Sequence, residues 1–121
     1  MTLTSAHDYA TLRAAIADEA LPVALVDLDA FDRNVDRLLA PVRGAGKTLR
    51  VASKSLRCPE LYRRIVERGG EAVRGLMVYS AREAAFLAAQ GFDDLLLAYP
   101  CAHPVDLAHL VAANERARVS V

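Results

Sequence analysis

Residues 49–59 of the chain read Leu-Arg-Val-Ala-Ser-Lys-Ser-Leu-Arg-Cys-Pro, and this stretch decides how the rest of the sequence is interpreted. Leu49 to Ala52 form a short strand-like run, and Pro59 is typical of the first turn of a helix. Lys54 is therefore predicted to lie at the carboxyl end of a buried strand. This is where α/β folds place their reactive groups.

Strand and helix patterns alternate downstream of this stretch. The sequence predicts a helix from Pro59 to about Arg68 and a strand over 75–79. The next helix begins at the capping box of Ser80 and Glu83 and ends at Gly91. A strand over 94–99, a helix from Pro104 to about Asn114 and a strand that begins at Val119 follow. The repeat of roughly 20 to 25 residues is typical of βα units in a parallel sheet or barrel.

Three further elements are predicted upstream of residue 49. Ser5 and Asp8 resemble a capping box, and apolar residues at helical spacing follow them. The first element is an amphipathic helix over 6–19 that ends at the Leu21-Pro22 turn, and a strand over 23–29 follows it. The third is a helix from about Phe31 to Val42. Asp29 or Asp32 lies near the start of this helix, and Gly44 and Gly46 end it.

The order of these elements predicts an α/β fold, namely the amino-terminal part of a (β/α)8 TIM barrel. A complete barrel needs about 250 residues, and Val119 to Val121 look like a strand that has only begun, so we expect the barrel to be truncated near its fourth strand. We divide residues 1–121 into a leading helix (1–22), an entry strand and helix (23–46), and the first barrel βα units (47–121).

Composition excludes several classes of function. Lys and Arg number 15 and so do Asp and Glu, so there is no electrostatic reason to expect nucleic acid or an anionic membrane as a partner. No apolar run approaches the roughly 20 residues of a membrane span, and the amino terminus lacks the pattern of a signal peptide. Cys58 and Cys101 are interpreted as reduced thiols of a cytoplasmic protein.

Lys54 is the main candidate for chemistry. Burial disfavours a charged ammonium, which would free the amine of Lys54 to attack a carbonyl group. The alternative is a lysine that extends into solvent from a strand end. Lys47, Cys58 and Cys101 are the other nucleophiles of this kind in the sequence, and neither cysteine has a visible base partner.

Four stretches of the sequence resemble a known family. They are Leu25-Val-Asp-Leu-Asp-Ala-Phe-Asp-Arg-Asn34, Arg50-Val-Ala-Ser-Lys-Ser-Leu-Arg-Cys-Pro59, Leu76-Met-Val-Tyr-Ser-Ala-Arg-Glu-Ala84 and Gly91-Phe-Asp-Asp-Leu-Leu-Leu-Ala-Tyr-Pro100. In order and spacing they resemble the fold-type III, alanine-racemase-like family of pyridoxal-phosphate (PLP) enzymes over roughly residues 20–121. Within that family the sequence is most similar to the group of D-threonine aldolases, D-serine dehydratases and amino-acid deaminases/aldolases.

The resemblance implies that Lys54 holds pyridoxal 5'-phosphate covalently as a Schiff base and is also the catalytic residue. It implies a lyase (aldolase, dehydratase or deaminase) that acts on a small D- or β-hydroxy amino acid, and a homodimer in the full-length form. The alternatives are an amino-acid racemase and a non-catalytic PLP-binding homeostasis protein of the same superfamily. The chain alone is expected to be inactive.

The resemblance has one departure and leaves some parts of the site outside the chain. D-threonine aldolase-like members usually place histidines two residues before and two residues after the lysine, where this chain has Ala52 and Leu56. The phosphate-binding loops and the His/Asp ligands of a divalent metal in the full-length protein are expected beyond residue 121. No metal ligand is assigned within the chain. The resemblance also implies that the segment 23–29 belongs to, or adjoins, a carboxyl-terminal β-domain.

Several other residues allow two interpretations. Asp27 and Asp29 form an Asp-x-Asp pair that could indicate a phosphatase of the haloacid-dehalogenase kind, or could cap a helix. Arg57 could meet a cofactor oxygen or lie in solvent, and the strand-ending Tyr79 and Tyr99 could line the mouth of the barrel or pack. His7, His103 and His109 show no metal-ligand spacing, and His103 is interpreted as a turn or cap residue.

Overall fold

A parallel sheet organises the fold in the computed structural model, which describes residues 7–121. Its strands are β1 (Leu49–Ala52), β2 (Val73–Val78), β3 (Leu95–Leu97) and β4 (Val119–Ser120), and they pair in sequence order. A helix connects each strand to the next. The predicted α/β fold with consecutive parallel βα units is therefore confirmed.

The helices have bounds close to those that the sequence predicts downstream of β1. They are α1 (Tyr9–Ala15), α2 (Leu28–Gly44), α3 (Pro59–Gly69), α4 (Ala81–Ala89) and α5 (Pro104–Asn114), with single 3₁₀ turns at Ser53–Ser55 and Gly70–Ala72. Proline at the first turn explains where α3 and α5 begin, because its missing N–H group needs no partner there. Within residues 7–121, no helix combines the length and the hydropathy that crossing a membrane requires.

The core lies between one face of the sheet and the helices. Val51, Leu76 and Leu95 occupy neighbouring strands on that face, and Leu76 and Leu95 are 0% exposed. Side chains alternate between the faces of a strand, so the residues that follow them, Ala52, Met77 and Leu96, point to the opposite face. Those residues are only half-buried, and Lys54 lies two positions beyond Ala52.

The predicted strand over 23–29 is wrong. Residues 23–26 are exposed and have no regular secondary structure, and α2 begins at Leu28. The carboxylate of Asp27 accepts a hydrogen bond of 2.8 Å from Ala30 N, which caps the helix. An apolar run becomes a strand only when a neighbouring strand satisfies its backbone, and the sheet offers these residues no such partner.

The leading helix is shorter than predicted. Asp8, and not Ser5, caps α1 within the described part of the chain, through a 2.8 Å hydrogen bond from Thr11 N. Ser5 and the predicted first residue, Ala6, lie outside the described residues. The helix ends at Ala15 instead of residue 19, and none of its side chains is buried.

Candidate active site

Lys54 lies at the carboxyl edge of the sheet, in the 3₁₀ turn directly after β1. Tyr79 follows β2 directly, and Tyr99 lies two residues beyond β3. Because the carboxyl ends of parallel strands meet at one edge, the three side chains share it. Lys54 Nζ donates a hydrogen bond of 3.3 Å to Tyr99 Oη. The strand-end position predicted for Lys54 is confirmed, whereas its covalent role stays a prediction.

The amine of Lys54 is open to solvent. Its side chain is exposed, and Tyr79 and Tyr99 are each 47% exposed. Among the described residues, Lys54 extends into solvent, which is the second of the two interpretations from sequence. The two tyrosines line the sheet edge and are not part of the core, so a ligand at this edge would meet one amine and two phenol rings.

Hydrogen bonds fix the backbone that carries Lys54. The carbonyl oxygen of Ser53 accepts hydrogen bonds from Leu56 N at 3.1 Å and Arg57 N at 3.0 Å. It also accepts one of 2.7 Å from the hydroxyl of Tyr62, which is buried. Burial raises the pKa of the Tyr62 phenol, so Tyr62 remains a neutral donor at physiological pH. Three donors thus hold a single oxygen beside Lys54.

One carboxylate oxygen links this turn to the next strand end. Glu83 Oε2 accepts hydrogen bonds from Ser53 Oγ at 2.8 Å and from Tyr79 N at 2.9 Å. Glu83 N donates to Ser80 Oγ at 3.1 Å, as a capping box requires. The predicted capping box is confirmed with one difference. Its carboxylate reaches the N–H of Tyr79, one residue before the cap, where the usual motif binds the N–H of the cap residue itself.

The roles of Ser53 and Tyr62 are not apparent from the sequence, which indicates only a helix cap for Glu83. A signal for Ser53 was present, because strand alternation from Val51 places it on the buried face of the sheet. No local pattern identifies its partners, which lie elsewhere in the chain.

Arg57 lies beside the same edge. Its guanidinium carbon is 5.7 Å from the centroid of the Tyr79 ring, a cation–π contact. Its backbone has a φ of +52°, in the left-handed region. Arg57, Tyr79 and Arg82 line an open cavity of about 390 Å³. Arg57 is exposed, as one of the two interpretations from sequence has it, and it also contacts an aromatic ring; its contact with a cofactor oxygen stays a prediction.

The two positions that depart from the family pattern carry only hydrocarbon. Ala52 ends β1 and is half-buried, and Leu56 packs against the core from the Lys54 turn. Neither side chain can transfer a proton. Any proton transfer at Lys54 must therefore use other groups.

The remaining sequence candidates have structural roles. Asp27 caps α2 and does not follow a strand, so the phosphatase interpretation loses its basis. The hydrogen bond from Ala30 N holds the pKa of Asp27 below its usual value, and His7 Nε2 lies 3.3 Å from its other oxygen. His103 Nδ1 accepts a hydrogen bond of 3.3 Å from Val105 N, which confirms that His103 caps α5.

The two cysteines are free and half-buried. Cys58 is the residue before α3, and its thiol donates a hydrogen bond of 3.3 Å to Glu60. Cys101 packs against the core. Among residues 7–121, no three His, Cys, Asp or Glu side chains come together as a set of metal ligands.

Solved structures, but neither family models nor curated sequences, give a match to this chain. No protein-family model matches the chain, and no curated protein sequence matches it. Among solved structures, the crystal structure of D-threonine aldolase from Filomicrobium marinum superposes with a TM-score of 0.76 at 27% sequence identity, covering 86% of this chain and 27% of that chain. The chain therefore spans about a quarter of the length of that protein. The predicted resemblance to the fold-type III group that contains the D-threonine aldolases is confirmed.

Proposed function

We propose that the chain forms the part of a PLP-dependent lyase that carries the cofactor lysine, in an enzyme that cleaves a small D- or β-hydroxy amino acid. The observation that carries this proposal is the amine of Lys54, exposed at the carboxyl end of β1 in a chain 27% identical to a D-threonine aldolase. A primary amine held at this edge is the group that an aldehyde cofactor requires.

The chemistry of the neighbouring residues fits one end of such a cofactor. Lys54 would supply the amine that holds an aldehyde cofactor. Tyr99 supplies a hydroxyl within hydrogen-bonding distance of that amine, and Arg57 supplies a positive charge at the same edge. When bound, PLP supplies a conjugated ring that accepts the electrons of a broken bond at the substrate Cα atom.

Lys54 has two tasks in the proposed reaction. With PLP bound, its Nζ atom would hold the cofactor, and as a free amine the same atom would serve as a proton carrier. A substrate bound at the same sheet edge would lie within reach of this amine. In aldol cleavage the β-hydroxyl loses a proton, the Cα–Cβ bond breaks, an aldehyde leaves, and Cα regains a proton. Tyr99 Oη, which accepts a hydrogen bond from Nζ, restricts where the amine points.

Similarity to an aldolase favours lyase chemistry over the racemase and the non-catalytic PLP carrier. We propose D-threonine or a related β-hydroxy amino acid as the substrate class, with dehydratase or deaminase chemistry as the alternative. Because Ala52 and Leu56 stand where histidines are expected, we propose that proton transfer does not use those positions. A homodimer in the cytoplasm and a divalent metal in the full-length protein also remain proposals.

Borohydride reduction tests the role of Lys54. The chain has two lysines, and Lys47 lies in the loop before β1, on the opposite edge of the sheet, so it serves as an internal control. Reduction of the full-length protein with PLP, followed by peptide mass mapping, should place a pyridoxyl group on Lys54 and leave Lys47 unmodified. Modification of Lys47 alone, or of neither lysine, would overturn the proposal.

Turnover provides the second measurement. The full-length protein should release an aldehyde from D-threonine, and Lys54→Ala should lower kcat by at least about 1,000-fold, because both the covalent bond and the proton carrier are lost. Loss of ammonia without release of an aldehyde would indicate the dehydratase or deaminase alternative.

A further inference from the structure

We propose that Glu83 is a positioning residue for Lys54, acting through the hydroxyl of Ser53. The proposal rests on the proposed function of Lys54 and assigns a task that the helix cap does not explain. Ser53, the residue before Lys54, is 0% exposed, and its hydroxyl donates to Glu83 Oε2 at 2.8 Å.

Burial makes the hydrogen bond of Ser53 obligatory. A buried hydroxyl without a partner is costly, so Ser53 Oγ must remain on Glu83 while the turn keeps its conformation. A bond to a charged acceptor is also stronger than one between neutral groups. Since Lys54 is the next residue, the direction of its side chain depends on the backbone that this bond and the Tyr62 hydroxyl hold.

Glu83 also determines the position of the second strand end. The oxygen that accepts from Ser53 accepts from Tyr79 N at 2.9 Å, so one atom joins the turn after β1 to the turn after β2. The Tyr79 ring lies under the Arg57 guanidinium at the same edge. The first turn of α4 stabilises a negative charge at Glu83, which keeps the shared acceptor in place.

A purely structural cap would not need this arrangement. Ser80 Oγ accepts the cap hydrogen bond from Glu83 N, and the bond from Tyr79 N to the Glu83 carboxylate is the reciprocal half of the capping box. The hydrogen bond that the same carboxylate accepts from Ser53 Oγ lies outside the capping box and belongs to the turn that carries Lys54. Substitutions at Ser80 and at Glu83 therefore separate stability of the helix from the position of the amine.

Four variants of the full-length protein test the proposal. Glu83→Ala and Ser53→Ala remove the bond to the turn, and Ser80→Ala removes the helix cap alone as a matched control. Both bonds go to one oxygen, so Glu83→Gln can keep them through its amide carbonyl. We expect Glu83→Ala and Ser53→Ala to lower kcat by about 10- to 100-fold through misplacement of the amine. Glu83→Gln should restore kcat to within about threefold of wild type.

The effects on kcat of the two substitutions that break the bond should not add. Ser53→Ala and Glu83→Ala together should lower kcat no more than the more harmful single change, because they remove the same interaction. Ser80→Ala should lower the melting temperature while leaving kcat unchanged. Ser53→Ala and Glu83→Gln keep the test informative if Glu83→Ala does not fold.

Two readouts other than activity complete the experiment. The rate of borohydride trapping on Lys54, relative to Lys47, should fall in Glu83→Ala and Ser53→Ala but not in Ser80→Ala. The pH midpoint of the visible absorption of the bound cofactor should shift in the same two variants. Equal trapping and turnover in all variants, with Lys54 labelled in the wild type, would overturn the role of Glu83 alone. Absence of Lys54 labelling in the wild type would overturn the proposed function itself.

Discussion

Gly75 shows how closely a single residue can be constrained in this fold. It lies in β2 with a φ of +59°, where L side chains are strained. A Cβ atom at this position would lie 1.9 Å from the carbonyl oxygen of Asp94. That oxygen accepts a hydrogen bond of 3.2 Å from Leu76 N, so β2 and the start of β3 cannot separate to make room without losing the bond. A glycine within a strand is typical of such a close backbone approach.

Gly75→Ala is therefore expected to destabilise the protein by about 2 to 5 kcal/mol, as the sum of backbone strain and overpacking. Gly44→Ala is the matched control, since Gly44 has nothing within 4 Å of its added Cβ atom and no positive φ. The control should be neutral or more stable by up to about 1 kcal/mol. Chemical denaturation of both variants measures the difference. Equal stability of the two variants would show that β2 and β3 can move apart.

The sequence predicts where Lys54 lies but not which residues contact its neighbour Ser53. The position of Lys54 follows from local signals, a short strand before it and Pro59 after it. The bond between Ser53 and Glu83 does not, because the two residues are 30 positions apart and meet only through the register of β1 and β2. The exposure of Lys54 also depends on which parts of the protein cover the sheet edge, and a strand pattern carries no information about that.

At the scale of elements, the units with strong local signals were predictable. Proline at the first turn and a capping box determine the starts of α3, α4 and α5, and apolar runs determine the strands between them. The strand predicted over 23–29 is wrong because the alternation of apolar and polar residues there resembles a strand, whereas Asp27 caps a helix. Hydrophobic periodicity cannot show whether a neighbouring strand exists, and the local cap prevails where none does.

Substitution of Asp27 tests its role as a cap. Asp27→Ala should destabilise the protein by about 1 kcal/mol, because Ala30 N loses its acceptor. Asp27→Asn keeps an oxygen that can accept this bond and should retain most of the stability. Thermal unfolding distinguishes the variants. The rate of borohydride trapping on Lys54 should be unchanged in both, and a loss of trapping in Asp27→Asn would indicate a role at the active site.

At the scale of the whole molecule, two adjacent carboxylates join all four strands at the amino edge of the sheet, opposite Lys54. Asp94 pairs with Arg50 of β1 at 2.8 Å and with Arg74 of β2 at 3.0 Å. Asp93, which precedes β3, accepts a hydrogen bond of 2.7 Å from the backbone N–H of Arg118 before β4 and two more from its guanidinium. Charge thus holds one edge of the sheet in register, while the opposite edge remains available for ligands.

These pairs make acid stability a test of the sheet. The hydrogen bond from Arg118 N and the pair with its guanidinium lower the pKa of Asp93 from 3.8 to about 2. The bond from Arg50 likewise lowers the pKa of Asp94. A carboxyl group whose folded pKa is depressed stabilises the fold fully above its unfolded pKa. Its contribution is lost as pH falls through the folded value. Stability should therefore fall between about pH 4 and pH 2.

Asp93→Asn should flatten the pH dependence of the melting temperature in this window, because the unfolded wild-type chain binds a proton there that the folded chain does not. The Asp93 side chain is 55% exposed, so solvent screens its pair with Arg118 and we expect the effect to be below about 1 kcal/mol. Glu115→Gln is the control, since Glu115 forms no ion pair among the described residues. A slope in Asp93→Asn equal to that of the wild type and the control would show that Asp93 does not hold β4 to the sheet. The acid lability would then arise from Asp94 and the strands it joins.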